Sequence, residues 1–377
     1  MPEPVAGPWP RPAETPFSAL CWEIPGSPDP VARPAPAAEG THTSGMRCLF
    51  RFGAGFTALL ALAACGGPAP VVPAPRPAPA AAPVRITPAA ARQLGADELG
   101  RVPVLMYHRI VAQPRSVYDR TPADFTAELE RLAAEDYVPV TTAELVSRRL
   151  DLPAGAHPVV LTFDDGDPSV FGLTPQGQPA PGTAVRILLD VAAAHPRFRP
   201  VASLYVNEHP FGGDADGRAL RWLAEHGFEI GNHTRRHTNL RTATEPAATA
   251  AIAEEDALIR RAVPGYRPAT LALPYGSSPR RPELALRGPG YSYGGVLLVG
   301  SGPAPSPCAA GFEPGAIPRI RSQSTGPEAK YGSARWLDEL ATPTGHRYTS
   351  DGDPSTVAYP RSAAAVAPEC ASVGLAY

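Results

Sequence analysis

From about residue 98 onward the sequence alternates short apolar runs with amphipathic stretches, and that alternation narrows the possible folds more than any other feature. Residues Pro158 to Phe163 (PVVLTF) form an unbroken apolar run, the pattern of a strand covered on both faces. Val102 to Tyr107, Val138 to Val140, Ala202 to Val206, Phe228 to Ile230 and Thr270 to Leu273 are further strand candidates. Between them, Pro122 to Tyr137 places Phe125, Leu129 and Leu132 at helical spacing behind Thr121, a capping residue. Thr142 to Leu150, Ala184 to Ala194, Ala219 to His226 and Glu245 to Ala262 also read as helices. Strand and helix in this rhythm predict an α/β fold with a parallel sheet, open or closed into a barrel. In such barrels the chemistry gathers where the strands end. His108, Asp164-Asp165, His233/His237 and Pro274-Tyr275 all follow strand candidates, which suggests one shared site.

The first hundred residues have a different character. Residues 1–45 are rich in Pro, Ala and Gly with no apolar period, and read as a disordered or wrongly assigned extension. Residues 46–65 begin with the basic Met46-Arg47-Cys48-Leu49-Phe50-Arg51 and continue as an apolar run ending Leu62-Ala63-Ala64-Cys65. That layout is a secretory signal, too short to span a bilayer as a stable helix. Its end resembles a bacterial lipobox, which implies lipid attachment at Cys65. Residues 66–97 then read as a Pro/Ala-rich tether, and 98–377 as the folded domain, with its core at about 102–360. The expected location is the cell envelope, on its periplasmic or extracellular face. A net charge of -2 supplies no field for nucleic acid or an anionic surface. Membrane contact is therefore expected through the lipid alone, with no nucleic-acid partner and a monomeric chain. Of five cysteines, Cys308 and Cys370 remain in the exported domain, where a disulfide between them is expected.

Two clusters carry the chemistry. Thr162-Phe163-Asp164-Asp165-Gly166 sets two carboxylates on a turn after a buried strand. Burying them is costly without a cation or donors, although turn aspartates alone are common. His233-Thr234-Arg235-Arg236-His237 sets two imidazoles four residues apart on a helical turn, which presents both on one face. Asp165, His233 and His237 together would give two nitrogens and one oxygen, leaving a coordination position open. Zinc suits this set best, with cobalt, nickel, iron or manganese possible. Asp164, beside the ligand, is placed to act as general base. A structural zinc site fits poorly, since it would call for four closed ligands.

TFDDG at 162–166, HTRRH at 233–237 and Ala-Leu-Pro-Tyr-Gly at 272–276 resemble, in order, three motifs of the polysaccharide deacetylase family, the NodB-homology or carbohydrate esterase family four domain. The resemblance implies a distorted (β/α) barrel and hydrolysis of N-acetyl groups on a polysaccharide. It implies Asp164 as base, Asp165, His233 and His237 as metal ligands, and the Tyr275 backbone N–H as oxyanion donor. The arginine that many members carry two residues before the third-motif proline is Ala272 here, and Arg319 or Arg321 could replace it. Arg319 and Pro274 are also candidate substrate contacts. The usual Leu-x-His motif near the C-terminus is missing. Leu105-Met106-Tyr107-His108 instead resembles the permuted arrangement of biofilm poly-N-acetylglucosamine deacetylases, which makes His108 the general acid. O-acetyl ester hydrolysis, or glycan binding without catalysis, are the competing functions. Tyr348 to Pro360 is expected to form a hairpin around an Asp-Gly turn.

Overall fold

A computed structural model describes residues 85–377, apart from residues 215 and 301. The extension, the signal and Cys65 lie outside the described residues, as does most of the tether. Eight strands form one sheet: β1 (Val104–Tyr107), β2 (Tyr137–Val140), β3 (His157–Phe163), β4 (Ser203–Val206), β5 (Glu229–Asn232), β6 (Thr270–Ala272), β7 (Gly295–Leu297) and β8 (Ile320–Arg321). Their order is β7-β6-β5-β4-β3-β1-β8, every pairing is parallel, and β2 pairs with the first half of β3. One short segment touches both edges of this sheet. Ile317 bridges Leu297 on β7, while Ile320 and Arg321 pair with Leu105 and Met106 on β1. The sheet thus curls into a distorted barrel, with residues 317–321 as its closing stave.

Side-chain parity decides what faces the inside. Leu105, Tyr107, Leu161, Phe163, Leu204, Val206 and Ile230 point outward and pack with Phe125, Leu129, Leu188 and Leu220 from the surrounding helices. The intervening residues Val104, Val160, Tyr205, Ala272 and Leu297 make a second, interior cluster. The helices start where short polar residues cap them. Thr121, Thr141, Thr183 and Thr244 each accept a hydrogen bond from a first-turn backbone N–H of the helices Pro122–Ala134, Thr142–Val146, Ala184–Ala194 and Glu245–Ala262. Gly231 on β5 is required by its register partner on the adjacent strand β4, since a Cβ there would lie 2.3 Å from the Tyr205 ring.

Three expectations need correcting. The tether was expected to run to residue 97, but Pro88–Leu94 is a helix, and Ala91 and Ala96 are fully buried against Ala358. The folded domain therefore includes residues 86–97. Residues 348–360 do not form a hairpin. Asp351 and Asp353 accept hydrogen bonds from their own turn, and Val357–Tyr359 pairs in parallel with Gly374–Ala376. That pairing extends the packed region past 360 to the C-terminus, where a disulfide joins Cys370 to Cys308. Finally, β7 and β8 fall in a stretch where no strand was expected. No helix among the described residues is long and apolar enough to cross a membrane.

Glu255, on the helix Glu245–Ala262, is fully buried and neither carboxyl oxygen has a hydrogen-bond partner. Burial pushes its pKa from 4.5 up to about 8. Between those values the folded chain holds a proton that the unfolded chain has released, so stability must fall as pH rises through the window. Glu255→Gln removes that dependence. Melting of the wild-type domain should drop between about pH 5 and pH 8, while the variant declines less and is the more stable of the two at pH 8.

Candidate active site

The site is built from the ends of four strands, β1, β3, β5 and β6, on the C-terminal face of the barrel. Parity continues past the end of β3. Phe163 points outward, so Asp164 turns into the barrel mouth, where it is 1% exposed. Its backbone N–H donates to the Tyr107 carbonyl at 3.0 Å, which ties the ends of β1 and β3 together. Asp165 and Gly166 then take left-handed conformations, with φ of 73° and 61°. The chain reverses at that point, and the Asp165 carboxylate leaves its neighbour's direction and reaches the loop after β5.

Asp165 Oδ1 lies 3.4 Å from His233 Nε2 and 3.5 Å from His237 Nε2. The three ligand atoms all fall within 4.8 Å of one another. Zinc bonds of about 2.1 Å in tetrahedral array put ligand atoms about 3.4 Å apart, so the spacing suits a single divalent cation. His233 Nδ1 donates to the Ala272 carbonyl at 2.9 Å, because a carbonyl can only accept. That bond turns the Nε2 lone pair toward Asp165, as metal-binding imidazoles require. Ala272 thus contributes its backbone, whatever its side chain lacks. The HTRRH segment is not helical, contrary to one expectation. Thr234 and His237 both have positive φ, 62° and 50°, and the imidazoles converge through a tight turn. The two rings are 4.9 Å apart, and His237 packs edge-on against Tyr275 at 4.4 Å.

Asp164 is gripped from within the barrel. Arg319, on the closing stave and 0% exposed, donates from both terminal nitrogens to both Asp164 oxygens at 2.7 Å. Two further donors go to Thr162 Oγ1 at 3.2 Å and the Leu298 carbonyl at 2.7 Å. Burial alone would raise the Asp164 pKa, but the Arg319 charge and hydrogen bonds, with His233 and His108 beside it, together outweigh burial and hold the carboxyl well below the usual range. The expected substrate contact of Arg319 is not what the structure places there: the side chain is fully buried, with four of its five N–H donors engaged inside the barrel. Pro274 is buried too, while Tyr275 at φ 58° is 63% exposed and stands at the rim. Arg321 lies farther out, paired with Glu328.

His108 follows β1 and places Nε2 4.0 Å from Asp164 Oδ2. Its Nδ1 is buried without a hydrogen-bond partner, and burial pushes the imidazole pKa down. Tyr118 packs on the ring at 4.8 Å and is itself covered by the Arg321 guanidinium at 5.3 Å. No sequence pattern pointed to Tyr118. It is brought in by a loop folded around Asp119, which accepts from Arg109 and from the N–H groups of Arg115 and Ser116.

Residues 151–294 match the family described as polysaccharide deacetylase. The chain carries a polysaccharide deacetylase domain. It is accordingly a deacetylase, a hydrolase, and the matched span holds Asp164, Asp165, His233, His237 and Tyr275. His108 and Arg319 lie outside the match on either side, yet both meet at Asp164. No curated protein matches the chain. Among solved structures, the Streptococcus pyogenes deacetylase PplD in complex with acetate is 20% identical at a TM-score of 0.48, over 61% of this chain and 96% of that one. IcaB from Ammonifex degensii is 20% identical at 0.44, over 61% and 94%. A de-N-acetylase from Aggregatibacter actinomycetemcomitans is 15% identical at 0.43, over 61% and 98%.

Truncating Arg319 would leave a buried carboxylate with no counter-ion, at a cost of about 3–5 kcal/mol. Arg319→Met in the deacetylase domain should lower the melting temperature sharply, and adding Asp164→Asn should recover part of the loss. A double variant no more stable than Arg319→Met would show that the pair is not coupled.

Proposed function

We propose that the domain removes N-acetyl groups from an extracellular polysaccharide of N-acetylglucosamine type, with a divalent cation, zinc foremost, held by Asp165, His233 and His237. The observation that carries this reading is the convergence of those three ligand atoms beside a carboxylate that Arg319 holds ionised. A cation bound there supplies Lewis acidity toward the acetyl carbonyl and its attacking water. Asp164 takes a proton from that water, oriented by a guanidinium that leaves it no rotational freedom. The Tyr275 N–H is assigned to the developing oxyanion. His108, on the other side of Asp164, gives a proton to the departing amine nitrogen. A lowered imidazole pKa makes the protonated ring a stronger acid for that step. Lipid attachment at Cys65 and residence in the cell envelope complete the proposal, with an acetylated polysaccharide as the only macromolecular partner, the chain acting as a monomer.

Two sets of variants test these roles. Asp165→Ala should lose the metal, measured by elemental analysis, whereas Asp164→Asn should keep it and lose at least about 100-fold in acetate release from N-acetylglucosamine oligomers. Metal retained by Asp165→Ala, or full turnover in Asp164→Asn, would overturn the division of labour. His108→Ala should impair N-acetyl substrates far more than an acetyl ester with a phenolate leaving group, because phenolate departs without a proton. Equal loss on both substrates would remove His108 from the acid role. Release of acetate from acetylated xylan but not from N-acetylglucosamine oligomers would reassign the substrate to O-acetyl esters.

A further inference from the structure

No hydrogen bond from the protein fixes the His108 ring. Its Nδ1 is buried without a partner, and Nε2 lies 4.0 Å from Asp164 Oδ2, too far for a hydrogen bond. Imidazoles that move protons are commonly aimed by a group that bonds their second nitrogen. Here a half-turn about the Cβ–Cγ bond would put Cε1 where Nε2 stands and break no hydrogen bond to a protein group.

What holds the ring is packing. Tyr118 lies against it with centroids 4.8 Å apart and planes tilted by 49°, within the range of favourable aromatic pairs. Tyr118 is itself held at its backbone and at its ring. The turn that presents it is tied by the Asp119 carboxylate, which accepts from Arg109 at 2.8 and 2.6 Å, and the Tyr118 N–H donates to Ser116 Oγ at 3.2 Å. Its ring carries the Arg321 guanidinium at 5.3 Å. Arg321 in turn donates from Nε to Gln323 and from Nη2 to Glu328, both at 3.1 Å. His108, Tyr118 and Arg321 thus form one stack that ends on β8. Both contacts of Tyr118 in it are made by the ring. The closing stave therefore reaches both proposed proton carriers. Arg319 grips Asp164 inside the barrel, and Arg321, two residues on and of the same parity, backs the stack on His108.

We infer that Tyr118 is a positioning residue for the acid: its ring, backed by Arg321, keeps His108 turned with Nε2 toward Asp164 and the departing nitrogen. The inference rests on the reading of His108 as general acid and adds to it the group that aims the imidazole. Tyr118 acts through His108 and not on the substrate.

The test compares kcat and KM on N-acetylglucosamine oligomers with turnover of the acetyl ester of a phenol, which needs no acid. Tyr118→Ala should lower kcat on the oligomers about ten-fold, a part of the roughly 100-fold or more that a general acid supplies. KM and metal content should be unchanged, and ester turnover should move by less than about two-fold. Tyr118→Phe should return kcat to within about two-fold of wild type, because the ring suffices. Arg321→Ala should show the same substrate-selective loss to a smaller extent, about three-fold. Added to His108→Ala, Tyr118→Ala should cost nothing more. A raised KM with kcat intact would make Tyr118 a sugar platform. Equal loss on both substrates would make it a scaffold residue, and additive loss in the His108→Ala background an independent one. Each of these results, or a Tyr118→Phe variant as impaired as Tyr118→Ala, would overturn the inference. If His108→Ala is selective for the N-acetyl substrate and Tyr118→Ala is inert, this inference alone fails; if His108→Ala is not selective, the acid reading fails and takes the inference with it.

Discussion

The buried pair between Asp164 and Arg319 is the interaction on which the rest of the molecule turns. A guanidinium with no exposure and a carboxylate with almost none would each cost several kcal/mol alone. Together they are tolerable only with both oxygens met, the spare donors placed and the geometry held. That requirement reaches through the fold. Arg319 sits on the segment that touches β7 and β1, so the residue that sets the state of Asp164 also stands where the barrel closes. Closure and electrostatics are thus one feature. An open sheet would leave the guanidinium in water and Asp164 without its partner.

The barrel interior tolerates this pair because it is polar elsewhere as well. Glu229 on β5 is fully buried and accepts from Ser203, Thr270 and the Ala143 N–H. Tyr205 adds its own bond to Thr270. These interior residues alternate with the outward apolar ones, so the strands show period two at one level and near-continuous burial at another.

Much of this was legible in the sequence. Helices Ala184–Ala194 and Glu245–Ala262 have the bounds their apolar spacing gives, because both are long, periodic and capped by threonine. The six strands up to β6 are apolar runs bounded by turn residues and were found within about two residues. β7 and β8 were not legible. They have three and two residues, in a Gly- and Pro-rich stretch, and owe their existence to pairing with distant strands. The helical reading of His233 to His237 failed for a related reason. Spacing of four fits a helix, but the same spacing fits a turn that begins at a strand end, and Asn232 at the end of β5 commits the chain to the latter. Tyr118 carried no signal at all, because only the fold brings residues ten apart to one ring.

The adjacency of Asp164 and Asp165 shows how one short motif can produce two chemically different carboxylates. Asp164 keeps the parity of the strand, points inward and meets a permanent cation that nothing can displace. Asp165 has left the strand through a positive φ, retains partial exposure and lies beside two imidazole nitrogens. A carboxylate with one lone pair on each oxygen committed to a guanidinium is the poorer metal ligand, while its remaining lone pairs can still accept a proton. One facing two imidazoles and solvent is the better ligand. The proposed division into ligand and proton acceptor therefore rests on a single backbone step at residue 165. Exchanging the two roles would require Arg319 to release its partner.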